Sequence, residues 1–109
     1  MQKLNEYQEQ ALKTLNVSEP FVFNYLGFGL ASEAGEVAGK IKKMIRDDGN
    51  VLTENRRNAI ADELGDVLWY VATLSHHIGF YLSEIADRNI LKLKDRFDRG
   101  VICGDGDKR

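Results

Sequence analysis

ASEAGEV, residues 31–37, and ADELGDV, residues 61–67, are two versions of one phrase set thirty positions apart. Each reads Ala, a polar residue, Glu, a small or apolar residue, Gly, a carboxylate, Val. Both sit in runs whose apolar residues recur at three and four, the spacing of one helix face. Taking Leu30 as the centre of the first run, Leu26, Ala34, Val37, Ile41 and Met44 fall within about 40° of it at about 100° per residue. Glu33 then lies about 60° from that centre and Glu36 about 120° away, with Lys40 between them. With Ile60 as the centre of the second run, Leu64, Val67, Val71, Leu74 and Ile78 form the same kind of stripe, within about 40°. Glu63 and Asp66 repeat the offsets of about 60° and 120°, on the same side, with Tyr70 and His77 in the same acidic stripe. Antiparallel packing through the equivalent faces would relate the two copies by a pseudo-two-fold axis and gather all four acids.

Outward from these two runs the periodicity stays helical. Leu4, Tyr7, Ala11 and Leu15 predict a short first helix, closed by NVSEP (16–20), where Ser18 is a candidate cap with Pro20 in the following first turn. The second helix is expected from about Phe21 to Arg46, ending before the turn signal DDGN. Thr53 or Asn55 should begin the third, which continues to about His77 with Gly79 as its stop. Ser83 is a candidate cap for a fourth helix whose buried face would be Ile85, Ile90, Leu93 and Phe97. Residues from about 98 to 109 read as a flexible or extended tail. The expectation is an all-α, four-helix, bundle-like fold with two long central helices, in one domain spanning 1–109. So small a bundle buries limited surface alone, which predicts at least a homodimer joined through helical faces.

The 109 residues carry a net charge of −2, with no strong pull toward nucleic acid. One cysteine, Cys103, excludes an internal disulfide and a multi-thiolate metal site within one chain, and suits a reduced, cytoplasmic setting. The polar beginning MQKLNEYQEQ lacks the usual secretory pattern, and no apolar run nears the roughly 20 residues of a membrane span.

The acids remain to be explained. Carboxylates three apart are common on solvated helix faces, and a single pair would carry no chemical meaning. Two pairs beside two apolar stripes are different: four acids in one partly buried place cannot all stay ionised without a counter-charge. A hard divalent cation supplies that charge, and Mg²⁺ also recruits phosphates. Di-iron chemistry is set aside, because the residue three after each glutamate is acidic rather than His. His76 and His77 are adjacent and point apart on a helix, and no phosphate-binding loop or dinucleotide fingerprint occurs. Trp69 stands opposite the core face of its helix, so a subunit contact is its first expected use and stacking on a base its second. Phe21, Phe23 and Tyr25 are expected mostly in the core.

EAGEV (33–37) followed by ELGDV (63–67) resembles the paired acidic signature of the all-α nucleotide pyrophosphohydrolases, the MazG-like proteins. Residues 24–74 carry the core of the resemblance; NILKLKDRF (89–97) extends it, and GDGDKR (104–109) does so weakly. The resemblance implies a nucleoside triphosphate pyrophosphatase, a hydrolase of a phosphoric anhydride. It would release a (deoxy)nucleoside monophosphate and pyrophosphate in nucleotide-pool house-cleaning. Glu33, Glu36, Glu63 and Asp66 would be the Mg²⁺ ligands (Mn²⁺ a possible substitute) and the catalytic acids. Asn89, Lys92 and Arg96 match positions that approach the nucleotide, and Lys40 could offset the acids or meet phosphates. Relatives form dimers or tetramers in which the fourth helix often completes a site near the interface. Two other classes stay open: a pyrophosphohydrolase of phosphoribosylated nucleotides or of nucleoside diphosphates, and a non-catalytic helical module that binds nucleotides or a protein.

Overall fold

The computed structural model describes residues 3–109. Their order is α1 (Leu4–Leu12), α2 (Val22–Asp47), α3 (Glu54–His77) and α4 (Leu82–Asp98), with no strand among the described residues. The two long helices are antiparallel. Gly29 meets the ring of Tyr70, and Lys40 lies 3.9 Å from Glu63, so numbers fall along α3 as they rise along α2. α1 packs on α3 and α4, α4 packs on α3, and α4 makes no contact with α2 among the described residues.

The turn between the long helices follows from its residues. Gly49 and Asn50 both take the left-handed conformation (φ 61° and 59°), which glycine and asparagine tolerate best. The amide of Asn50 then reaches back 3.2 Å to the carbonyl of Met44, satisfying an end of α2. Thr53 caps α3, its hydroxyl accepting the Arg56 amide at 3.1 Å. Asp48 holds the Arg56 guanidinium at 2.8 Å, tying the turn to the new helix. Gly79, with φ 88°, stops α3 as its position predicts.

Other expected caps differ. The residue before α2 is Phe21, with no side-chain cap, so Ser18 does not serve and Pro20 stays outside the helix. α4 begins at Leu82 after Tyr81, and Glu84 accepts the Tyr81 amide at 2.9 Å; Ser83 is already inside the helix. The Ser83 amide is taken by Asn5 Oδ1 at 3.0 Å, which explains the earlier start: α1 supplies the cap. α1 itself ends at Leu12, short of Leu15.

On α2 Val22 and Leu26 are buried, the latter as its place on the apolar stripe predicts, and a cluster of buried residues lies where α1 crosses α3 and α4. Ala11, Ala72 and Leu82 form it, with Tyr7, Trp69 and Val71 packed around. Gln8 is buried in the same place. Its amide donates to the carbonyls of Ala72 (3.0 Å) and Phe80 (3.1 Å), and its oxygen accepts the Leu82 amide (3.0 Å). One side chain thus satisfies the corner between α3 and α4.

Several expected core residues are open instead. Ala34, Ile41, Leu64 and Ile78 are exposed on the long helices, as are Phe21, Phe23 and Tyr25. On α4, Ile90 and Phe97 are 63% and 74% exposed, and Leu93 is exposed as well. The physical reason is that α4 leans on α1 and α3 only near its start, leaving its later turns without an opposing helix in this chain. Trp69 also finds another surface than the one expected. Its indole N–H donates to Thr14 Oγ1 at 2.8 Å just beyond α1, within the same chain. No helix among the described residues is long and apolar enough to cross a membrane.

Candidate metal centre

Glu33 projects from α2 toward Glu63 and Asp66 on α3, and one carboxylate oxygen of each lies within 4.8 Å of the others. The antiparallel register does this: the first acid of one pair faces both acids of the other. Glu36, a turn further along α2, is exposed and outside this cluster, though its charge still reaches Glu33. The pseudo-symmetric quartet is therefore a triad with a fourth acid nearby.

The electrostatics follow from the crowding. The Glu33 carboxyl is held above the usual carboxylate range, first by burial and then by the negative charges of Asp66, Glu63 and Glu36. The Lys40 ammonium stands 3.9 Å from Glu63, one positive charge against the three carboxylates of the cluster, so an excess of negative charge remains. Oxygen donors from three side chains, two of them partly buried and Asp66 exposed, with less positive than negative charge among them, suit a hard divalent cation such as Mg²⁺. Glu33, Glu63 and Asp66 are the residues that would hold it.

An aromatic wall adjoins the triad. Thr14, Trp69 and Tyr70 line a recess together with Glu33 and Asp66. The Tyr70 hydroxyl is pushed up to about 12, chiefly by the neighbouring Tyr25 hydroxyl and by burial, with Glu33 and Asp66 adding to the shift. Tyr7, from α1, is raised by burial and by the charge of Asp66. Gly29 makes room for the wall: a Cβ there would fall 2.1 Å from a Tyr70 ring atom.

Tyr7, Thr14 and Gly29 were not candidates on sequence grounds. A signal existed for Tyr7, a hydroxyl-bearing member of the apolar stripe of α1. For Gly29 the signal is shared with Gly27, Gly35 and Gly39, glycines inside a helix whose cost points to close helix approach or room at the surface; which of the four is used is decided by contact across two helices.

The fourth-helix candidates stand elsewhere. Asn89 and Lys92 line a separate surface groove with Ile85, Arg88 and Leu91. Arg96 is buried at 5% exposure and bonds to Asp107 in the tail. His76 and His77 are both exposed, their ring centres 5.4 Å apart and their planes nearly perpendicular, and neither belongs to the acid cluster.

Known proteins place this arrangement. Over 86 residues the chain is 49% identical to the gene 37 protein of Mycobacterium phage L5, covering 79% of this chain and 75% of that protein. No solved structure matches. Residues 24–101 match the MazG nucleotide pyrophosphohydrolase domain, from the start of α2 to just past α4. Acid triad, antiparallel helices and domain match coincide on one segment, and the chain belongs to the MazG nucleotide pyrophosphohydrolase family.

Proposed function

We propose that this chain hydrolyses nucleoside triphosphates, ribo- or deoxyribo-, to the monophosphate and pyrophosphate with Mg²⁺, clearing surplus or non-standard nucleotides in the cytoplasm. The observation that carries this is the convergence of Glu33, Glu63 and Asp66 from two helices, beside an aromatic recess. A bound Mg²⁺ would neutralise phosphate oxygens and supply an activated water.

The chain's own residues do the rest. Glu33, Glu63 and Asp66 would hold the cation, and Lys40, 3.9 Å from Glu63, would limit the repulsion among them. Glu36, exposed one turn away, is free to orient a water or to join the ligand set when a cation draws it in. Trp69 and Tyr70 offer apolar ring surface next to the acids, where a base or sugar would exclude water. Asn89 and Lys92 would meet the phosphates as a hydrogen-bonding amide and a point charge.

Asn89 and Lys92 line a groove separate from the recess beside Glu33 and Asp66, so on this reading they would meet the triad of a second copy. The uncovered apolar residues favour such an assembly. Phe28 (76% exposed), Leu64, Ile90 and Phe97 are large side chains that a homodimer or homotetramer would cover.

The test is turnover of a panel of nucleoside triphosphates in Mg²⁺, with products separated by ion-exchange chromatography. Monophosphate plus pyrophosphate is expected, and Glu63→Gln should remove it while the helical content stays. Release of orthophosphate, or binding without turnover in either Mg²⁺ or Mn²⁺, would refute the reading. Mixing Asp66→Asn with Lys92→Ala chains should restore part of the activity if the site is shared between copies.

A further inference from the structure

Residues after α4 do not trail away. Gly100, Gly104 and Gly106 take positive φ (72°, 139° and 83°) and bend the tail back on itself. Arg109 closes the bend by donating to the carbonyls of Val101 (3.1 Å), Ile102 (2.9 Å) and Gly106. Arg99, just past α4, donates to the carbonyl of Arg109. The loop is thus pinned by two arginines and backbone oxygens, without use of the Asp107 side chain.

That side chain does something else. Its carboxylate lies 3.3 Å from Lys92 Nζ and 3.3 Å from Arg96 Nη2. Arg96 also donates to the Asp107 backbone carbonyl, so the guanidinium would keep one tail contact with the carboxylate gone. The two cations hold the Asp107 carboxyl below the usual range, so it is ionised at neutral pH. The carboxylate is 84% exposed, the Lys92 side chain 43% and the Arg96 side chain 6%. A buried arginine therefore fixes the tail, while a solvent-facing carboxylate rests on a solvent-facing lysine. The second contact is the exchangeable one.

We propose that Asp107 is an internal competitor for substrate: its carboxylate occupies Lys92 until a phosphate group displaces it, making the tail an autoinhibitory strap on the fourth helix. This rests on the reading that Lys92 meets substrate phosphate. A phosphate oxygen and a carboxylate oxygen are alternative acceptors for the same ammonium, and the phosphate brings more negative charge. Arg96 acts here as a positioning residue that keeps the strap within reach.

Calorimetric titration of the full chain with pyrophosphate in Mg²⁺ tests this without requiring turnover. Asp107→Asn keeps the side-chain shape and the Arg109 closure but removes the charge. It should bind pyrophosphate about two- to four-fold more tightly at low salt, the span an exposed ion pair allows. The difference should fade in concentrated salt as the charges are screened. Lys92→Ala should weaken binding, and Asp107→Asn should add nothing on that background. If Lys92→Ala weakens binding but Asp107→Asn leaves it unchanged or weaker, the strap is wrong and the phosphate role of Lys92 stands. If Lys92→Ala has no effect, that role fails and the strap fails with it.

Discussion

Replacing Gly29 by alanine should destabilise this protein, although the same change at Gly27, two residues earlier, should stabilise it. Both glycines lie inside α2, where alanine is favoured over glycine by up to about 1 kcal/mol. Their surroundings differ. A Cβ at Gly27 meets nothing within 4 Å, whereas at Gly29 it would lie 2.1, 2.4 and 2.8 Å from three atoms of the Tyr70 ring. Carbon atoms pack best at about 3.5–4.0 Å, so the ring must retreat by about 1.5 Å. Its retreat is hindered: Trp69 stands edge-on with its ring centre 4.8 Å away, and Tyr25 lies at 6.3 Å. Overpacking of this kind costs about 1–3 kcal/mol, which exceeds the helix-propensity gain. The two variants should therefore differ by about 2 kcal/mol, or about 10 °C in Tm for a chain of this size. Thermal unfolding at one fixed protein concentration reads it directly. In a Tyr70→Ala background the Gly29 substitution should turn favourable, because only the propensity term remains. A Gly29→Ala protein as stable as its parent, or a penalty that survives removal of the Tyr70 ring, would refute the reasoning.

Other outcomes follow from the same contacts. Mg²⁺ should raise the unfolding midpoint of the parent chain and leave that of Glu63→Gln unmoved, since a cation bound only by the folded triad stabilises it by mass action. The Glu33 pKa is raised by folding, so its contribution to stability is fully present below the unfolded value and is lost as pH rises through the folded one. Chelator-treated protein should accordingly lose stability from acid toward neutral pH, and Glu33→Gln should flatten that trend in denaturant titrations. Gln8→Leu should cost about 2–3 kcal/mol in urea unfolding, because it strands the Leu82 amide, the buried Ala72 carbonyl and the part-buried Phe80 carbonyl. Trp69→Phe should cost about 0.5–1.5 kcal/mol by losing its bond to Thr14. Thr14→Val should then cost less in that variant than in the parent, as a double-mutant cycle would show.

The amino-acid sequence alone was enough for the all-helical fold, the two long helices, the turn at Gly49 and Asn50 and the Gly79 stop, and it narrowed the α3 cap to Thr53, the one used, or Asn55. Those features are local, decided by periodicity, backbone freedom and a hydroxyl three residues from the amide it accepts. Sequence also marked the acids, since 3.6-residue geometry puts each pair beside an apolar stripe. What it left open is set by how helices meet. Glu36 stands outside the triad because contact across an antiparallel pair depends on offset and rotation, and a helical wheel contains neither. Trp69 turned to Thr14, and Ser83 yielded its capping role, because α1 crosses α3 and α4 there, a placement coded by residues more than fifty positions away. The apolar faces of α2, α3 and α4 were legible as apolar, but only the tertiary structure showed them uncovered in a single chain. Periodicity records that a face avoids water, and packing decides which surface relieves it.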